Sequence, residues 1–309
     1  MMTWLLLAIG GHIANAAAFL VDKMLLSQAF KRSATYAVLM GGLSTIVIVA
    51  SPWVSAWPDR SLFPYVLAFG GCFVFALWAF FEAMRREEAS RVVPIVGALV
   101  PLFTLLGESL FLGGVLSSRE LIGFLFLVLS TILFTRGSHK RSSVSWKVIG
   151  FSALAAFLFA SASLNGKFAF DHAPFVGVLI LSRLCGFVTA LLIALIADTA
   201  TRTEIRNVFF PAKKKTKKQF SLGTKASAII GQLLGGAGFI CVHLAMIQGS
   251  AAIVNALQAV QYGILVLLAW IGGSHLRKIL NEETSSKTLL QKGIGILAVA
   301  TGLWFLTQS

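Results

Sequence analysis

Four polar side chains recur at intervals of three and four residues within an otherwise apolar stretch: Asn255, Gln258 and the Gln261-Tyr262 pair. That spacing places them on one face of an α-helix. Three carboxamides and a phenol offer hydrogen-bond donors and acceptors without net charge. A pocket lined by them suits a polar, neutral or zwitterionic solute. The alternative is that these groups only join neighbouring helices.

Arg183 places a permanent positive charge about ten residues into another apolar stretch. A guanidinium in such a place must face a cavity, a carboxylate or backbone carbonyls. It can bind an anionic group of a substrate, pair structurally with Glu108 or Glu82, or extend to the membrane interface. Substrate contact is therefore one hypothesis among three for this side chain.

Four further side chains are candidates for carrying a proton: His12, His243, Glu108 and Glu82. A histidine changes its charge near neutral pH, and a carboxyl group inside an apolar stretch can hold a proton. For each of them a structural role is the alternative. Two more residues are candidates for substrate binding, Asn15 on the helix face of His12 and Trp78 in a third apolar stretch.

The elements that position these residues are predicted to be membrane-spanning helices. The chain has 309 residues, of which 57% are hydrophobic and 12% charged, whereas soluble domains carry about 25% charged residues. Apolar runs of roughly 20 residues recur along the whole length, and in lipid such runs must be helical to satisfy their backbone. The sequence predicts an all-α membrane protein with about ten spans, near 3–21, 34–56, 62–83, 90–112, 119–135, 146–170, 173–197, 225–247, 250–272 and 289–307.

The second half of the sequence echoes the first. The first and sixth spans each end at a single lysine, Lys23 and Lys167, and an Ala-Met pair precedes both the fourth and the ninth span. We therefore predict two five-helix repeats, residues 1–137 and 138–309, with a Lys-rich loop at 198–224 in the second. Because five is odd, the two repeats must be inverted relative to each other, an arrangement that recurs in transporters with the substrate site between the repeats.

Several motifs of the first half resemble the EamA domain, the five-helix repeat of the drug/metabolite transporter superfamily. They are EASRVVP at residues 88–94, LVPLF at 99–103, the region from Glu108 to Glu120, and Gly123. The second copy departs from the pattern, because QAVQYG stands at 258–263, no acid matches Glu108, and a longer charged connection follows Gly273. The resemblance implies a secondary transporter, of a superfamily that moves amino acids, sugars, nucleotide sugars and drug-like molecules, often by export. It also implies a structural role for Glu108, because in the family the acid near this position mostly marks the loop after the fourth helix.

Two prolines, Pro94 and Pro101, lie inside the fourth span. Each removes a backbone hydrogen bond, so we predict a hinge there that serves alternating access. Glycine pairs in four spans are predicted to allow close helix contact: Gly10-Gly11, Gly41-Gly42, Gly70-Gly71 and Gly235-Gly236.

The net charge of +14 is concentrated in the odd-numbered connections, including five lysines at residues 213–218. This run is interpreted as a solvated loop near anionic lipid head groups, in preference to a nucleic-acid site. The positive-inside rule then places both termini outside the cytoplasm, whereas in the family that the chain resembles, ten-span members usually have both termini inside.

The sequence contains no HExxH, GxSxG, Ser/Lys, paired-Asp or P-loop arrangement, and its five histidines are scattered. We therefore expect no enzyme, no cofactor and no metal site. The leading hypothesis is a secondary transporter of the bacterial inner membrane that moves a small polar or amphipathic metabolite by alternating access, with proton-coupled export as one form. A translocase of a lipid-linked intermediate is the alternative. Expected partners are the small-molecule substrate and membrane lipids, without nucleic acid, for a monomer or homodimer.

Overall fold

The structure, a computed structural model, describes residues 3–29, 32–87, 89–135, 145–209, 222–273 and 285–308. The described residues form helices and connecting turns, because apolar runs of this length satisfy their backbone internally. The helices are α1 (Thr3–Ala29), α2 (Ser33–Leu43), α3 (Phe63–Arg86), α4 (Ala89–Phe111), α5 (Ser118–Thr135), α6 (Trp146–His172), α7 (Phe175–Ile196), α8 (Thr199–Phe209), α9 (Leu222–Gln248), α10 (Ala251–Ala256), α11 (Gln258–Ile271) and α12 (Ser286–Thr307).

Within the described residues, eight helical stretches are long and apolar enough to cross a membrane. Two further apolar helices complete the bundle: α4, whose apolar part is Ile95–Phe111, and α5. Together they make about ten membrane segments, and the predicted all-α membrane fold is confirmed. Each predicted span corresponds to one of these segments.

Two segments depart from a regular α-helix. The second segment continues from α2 into a 3-10 helix over Ser44–Trp53. The ninth segment is broken at Leu257, between the short α10 and the longer α11. The interruption is one residue long, because Leu257 keeps right-handed helical φ and ψ angles of −63° and −8° and its amide still bonds to the carbonyl of Ile253. Leu257 and its neighbours Ala256 and Ala259 are buried, so the interruption lies inside the bundle.

The helix α8 was not predicted. Thr199–Phe209 lies in the stretch that was predicted to be a Lys-rich loop, and it packs against α2 and α7 at one end of the bundle. Its Arg202 donates hydrogen bonds to the carbonyls of Leu195 and Ala197, which end α7. The lysines at 213–218 lie outside the described residues.

The helices of the two halves are packed against each other. The most extensive contacts join α1 to α9 and α3 to α6, and α5 packs against α12. If α1 of the first repeat corresponds to α6 of the second, and α3 corresponds to α9, then the α1–α9 contact and the α3–α6 contact are equivalent. This reciprocity is what two related repeats require, although the division at residue 137 stays a prediction.

Close helix contact occurs at three of the predicted glycine pairs. Gly70 of α3 lies directly against the backbone of Ser182 and Gly186 in α7, and Gly41 lies against Ala190. Gly11 meets the backbone of α9. At Gly10 and Gly236, in contrast, no described neighbouring helix comes within 4 Å of the position that a Cβ would occupy.

The bundle has two distinct ends. One end, called the basic face below, carries Arg32, Arg85, Arg86, Lys147 and Arg202, where α1, α3 and α7 end and α2 and α6 begin. At the other end, called the Glu108 face, α4 and α6 end and α10 begins. These two ends lie at opposite ends of the central cavity.

Candidate substrate cavity

A central cavity of about 680 Å³ is enclosed by helices of both halves of the chain. Its wall comes from the first four segments and from α6, α7, α9, α10 and α11. Most of the exposed wall is apolar, and polar side chains such as His12, Asn15 and Gln261 lie among the apolar ones. The phenylalanines that line it are Phe19, Phe69, Phe73, Phe80, Phe81, Phe159 and Phe239.

The cavity reaches the basic face. Its lining includes Arg32, Ser33 and Arg85, which lie at the ends of α2 and α3. Ser33 Oγ donates a hydrogen bond of 2.6 Å to Glu82, and Arg32 pairs with Asp198 at 2.8 Å. Hydrogen bonds from Thr201 hold the pKa of Asp198 below its usual range, and the charge of Arg32 adds to this effect.

The Glu108 face is closed by polar contacts, called the Glu108 seal below. Glu108 accepts hydrogen bonds from Ser250 Oγ (2.8 Å) and from the backbone amides of Ala251 and Ala252 (3.1 and 2.9 Å). Lys167 Nζ donates to the carbonyls of Met246 and Gly249, at 2.7 and 3.1 Å. Both side chains thus hold the turn between α9 and α10 against the first half of the chain and α6.

All four polar residues predicted in the ninth segment line the cavity. Asn255 also joins helices, because its Nδ2 donates to Thr104 Oγ1 at 2.9 Å and to Ser163 Oγ at 3.2 Å. Gln258 is half-buried, whereas Gln261 and Tyr262 are buried. The helix break at Leu257 therefore leaves the predicted polar face intact, and its role in substrate binding stays a prediction.

His12 and Asn15 of α1 line the same cavity. His12 Nε2 donates to the carbonyl oxygen of Val254 at 2.8 Å. In an unbroken helix that carbonyl would accept from the amide four residues later, but the helix ends at Ala256. His12 therefore satisfies a carbonyl that the break releases, while its buried Nδ1 has no hydrogen-bond partner among the described residues.

Arg183 is buried in the cavity wall, where only 8% of its surface is exposed. Its Cζ lies 3.7 Å from the ring centroid of Phe239, 4.9 Å from that of Phe73 and 5.6 Å from that of Phe69. The predicted alternatives for this residue were pairing with Glu108 or Glu82 and extension to the interface. They are wrong, because both carboxylates are held elsewhere and the guanidinium is buried.

His243 lies beside this cluster. Its ring stacks on Phe239 with centroids 3.8 Å apart, and its Nδ1 donates to the carbonyl of Phe239 at 2.9 Å. The three phenylalanines around Arg183 were missed as site residues. A signal was present, since Phe69 and Phe73, like Phe239 and His243, are four residues apart and share a helix face.

Three residues predicted for substrate binding or proton coupling lie outside the central cavity: Glu82, Trp78 and Glu108. Glu82 bonds to Ser33, Arg85 and Arg86 near the basic face. Trp78 lines a separate pocket of about 310 Å³ with Glu82 and Asp198, so it does not join the cavity-lining residues. Glu108 has the structural role expected for it, because it caps the start of α10.

The predicted hinge is not visible as a break. α4 continues past Pro94 and Pro101 as one helix, and the side chain of Pro94 lies outside the described residues. The interruption lies instead in the ninth segment, so hinge motion at the prolines stays a prediction. Within the described part of the chain, no group of three or more His, Cys, Asp or Glu residues is placed to hold a metal ion.

Comparison with known proteins shows a family match over part of the chain and a structural match over nearly all of it. Residues 2–136 match the model of the EamA-like transporter family. A solved structure titled "Crystal structure of protein" aligns over 96% of this chain and 94% of its own, at 15% identity with a TM-score of 0.66, which shows a shared fold across both halves. No curated protein matches the sequence. The resemblance inferred from the motifs of the first half is confirmed over residues 2–136, which match the EamA-like transporter family, and the long apolar helices indicate a multi-pass membrane protein.

Proposed function

We propose that the protein is a secondary carrier that moves a small amphipathic metabolite across the membrane by alternating access. The observation that carries the proposal is the central cavity, which reaches the basic face and ends before the Glu108 seal. A carrier needs a site that faces one side of the membrane at a time. A cavity between two halves, with one closed end, fits that requirement.

Both ends of the cavity offer contacts that can break and form again. The Glu108 seal consists of hydrogen bonds to one turn, and the basic face has the pairs Ser33–Glu82 and Arg32–Asp198. Opening of the seal together with closure of the basic face would expose the same cavity to the other side.

The wall of the cavity supports an amphipathic substrate. A volume of about 680 Å³ lies within the range of small-molecule sites, roughly 300–1,000 Å³. Apolar side chains, seven phenylalanines among them, form most of the wall, while Asn15, Asn255, Gln258 and Gln261 supply amides. An apolar body with a few hydrogen-bonding groups fits this arrangement better than a sugar, whose hydroxyl groups need partners all around.

The charge distribution supports one orientation. Lysines and arginines concentrate at the basic face, which the positive-inside rule assigns to the cytoplasm. The cavity then opens to the cytoplasm, as an exporter of the bacterial inner membrane requires before it loads substrate. A reporter that is active only in the cytoplasm should be inactive when fused to Ser309, and activity there would overturn this orientation.

Proton coupling is a finer part of the proposal. Of the four predicted groups, His12 and His243 line the cavity, whereas Glu82 and Glu108 are held by hydrogen bonds at its two ends. The two histidines are therefore the groups we propose for coupling. Net flux driven by a pH gradient in proteoliposomes should be lost in His12→Gln or His243→Gln, while exchange without a gradient persists; coupling intact in both variants would exclude them.

Alternating access is tested by labelling one cavity residue from both sides. Ser163 of α6 lines the cavity, and Leu154 of the same helix faces outward. Each is replaced by cysteine in a protein whose three native cysteines are alanine. A membrane-impermeant maleimide should label Ser163→Cys from both sides in oriented vesicles and Leu154→Cys from neither.

Labelling of Ser163→Cys from one side only, under every substrate and pH condition, would contradict alternating access. The translocase alternative is decided by the same variant. A cavity that serves a lipid-linked substrate opens toward the bilayer, so a lipid-soluble maleimide would then label Ser163→Cys where the impermeant reagent fails.

A further inference from the structure

The charge of Arg183 has no counter-ion among the described residues. Its Nη2 is buried and has no hydrogen-bond partner there. The described carboxylates that approach the cavity are occupied, Glu82 by Arg85 and Arg86, Asp198 by Arg32. Glu108 is engaged by Ser250 and two amides at the far face. A buried guanidinium without a partner is costly unless something else compensates for it.

Aromatic rings compensate for part of that cost. Arg183 Cζ lies 3.7 Å from the ring centroid of Phe239, and the rings of Phe73 and Phe69 also lie near the guanidinium. A ring face attracts a cation, but it accepts no strong hydrogen bond. A guanidinium has five N–H donors in a planar fork, so this environment leaves its hydrogen-bonding capacity for another group.

The open side of this cluster faces the cavity, because Arg183 and the three phenylalanines all line it. The other described cations of the lining, Arg32 and Arg85, lie at the basic face. One fixed positive charge in apolar surroundings matches one negative charge. A planar carboxylate can accept two parallel hydrogen bonds from the guanidinium, whereas a doubly charged phosphate would need a second cation nearby.

We propose that Arg183 is the anion-binding group of the substrate site, and that the substrate is a monocarboxylate with an apolar or aromatic body. The inference rests on the proposed carrier function and names its substrate class. The carboxylate binds Arg183, and the body of the substrate packs against Phe69, Phe73 and Phe239. The amides of the ninth segment then face the remaining polar groups of the substrate.

Binding of 3-phenylpropionate to the purified full-length protein in nanodiscs, measured by calorimetry, tests this inference. 3-Phenylpropanamide has the same shape without the charge. Wild type should bind the acid more tightly than the amide. Arg183→Gln should lower the affinity for the acid by roughly tenfold or more, the scale of a lost charge-assisted pair. The affinity for the amide should not change. Arg183→Lys keeps the charge but loses the planar fork of donors, so its affinity for the acid should lie between those of wild type and Arg183→Gln.

The matched control is Arg119→Gln, which removes an arginine exposed at the Glu108 face and should leave both ligands unaffected. Thermal unfolding of the ligand-free variants separates a binding role from a structural one. A binding arginine without a partner predicts that Arg183→Gln unfolds at the same or a higher temperature than wild type. A lower unfolding temperature with unchanged acid binding would overturn the inference.

Equal binding of acid and amide by wild type, or no saturable binding of the acid, would also overturn it. If Arg183→Gln cannot be purified folded, Arg183→Lys against wild type still decides, because equal acid affinity contradicts a bidentate site. Labelling of Ser163→Cys from both sides does not depend on this ligand. If Ser163→Cys is labelled from one side only, the carrier function itself is refuted. If the binding test fails, only the substrate class is refuted.

Discussion

His12 Nε2 lies 2.8 Å from the carbonyl oxygen of Val254, and this hydrogen bond joins α1 to the break in the ninth membrane segment. The contact links residues 242 positions apart in the sequence. It lies where the polar residues of the ninth segment enter the cavity. The first helix therefore supports the irregular backbone of the segment that carries most of the predicted binding groups.

Replacing His12 with phenylalanine removes this donor and leaves the carbonyl of Val254 buried without a partner. An unsatisfied buried carbonyl costs about 1–3 kcal/mol, so His12→Phe should lower the free energy of unfolding by that amount. His172→Phe is the control, because His172 is exposed and bonds only to Phe168, within its own helix. Denaturant unfolding of both variants checks the prediction, and equal stability of the two would contradict it.

Glu108 should matter for both stability and sidedness. Glu108→Ala loses three hydrogen bonds at the start of α10, all accepted by the carboxylate. A hydrogen bond to a charged group contributes about 1.5–3 kcal/mol. We expect a loss of at least that size and faster labelling of Ser163→Cys from the Glu108 face. Glu120→Ala removes an acid that caps α5 at the same face through Ser117, so it should cost less stability than Glu108→Ala and leave the labelling rate unchanged. Unchanged labelling in Glu108→Ala would show that the contacts do not seal the cavity.

Asn255 and Gln258 should separate a structural amide from a binding amide. Asn255 joins Thr104 and Ser163, so Asn255→Ala should cost about 1–2 kcal/mol of stability. Gln258 lines the cavity and has no such bond among the described residues. Gln258→Ala should keep wild-type stability.

Ligand effects distinguish the two variants further. A thermal-shift screen against amino acids, nucleosides, sugars and cationic drugs identifies compounds that stabilise wild type by mass action. Gln258→Ala should lose that stabilisation for any such compound. Retention of the full shift would mean that Gln258 does not contact the ligand.

Gly70 should not tolerate a methyl group. A Cβ at this position would collide with the backbone oxygen of Ser182, where α3 crosses α7. Overpacking typically costs about 1–3 kcal/mol. Because the contact is with backbone, which cannot move aside easily, the loss of stability in Gly70→Ala should lie at the upper end of this range. Gly236→Ala is the control, because no described neighbour lies within 4 Å of its Cβ position. Comparable unfolding midpoints for the two variants would contradict close packing of α3 against α7.

The membrane segments were predictable because long apolar runs have few alternatives in lipid. The 3-10 stretch over Ser44–Trp53 and the break at Leu257 were not. Nothing local marks Leu257, and the side chain that bonds to the carbonyl of Val254 beside it, His12, lies far away in the sequence. The helix α8 was missed because its charged residues and its place beside the lysines resembled a loop.

The candidate site was predictable in composition but not in arrangement. Spacing correctly placed Asn255, Gln258 and Gln261 on the cavity side. The surroundings of Arg183 depend on Phe69, Phe73 and Phe239, which come from two other helices. Which carboxylate pairs with which cation is likewise decided by packing, so pairing of Arg183 with Glu82 or Glu108 could not be judged from the sequence.

Distances between spin labels on the two faces of the bundle test alternating access most directly. One pair replaces Arg206 and Ile229 near the basic face, and the other replaces Leu110 and Gln248 at the Glu108 face; all four side chains are exposed. In nanodiscs, each pair should show two distance populations. As substrate or pH changes, the basic-face distance should shorten while the Glu108-face distance lengthens. Single fixed distances for both pairs under every condition, or changes of the same sign, would contradict a carrier.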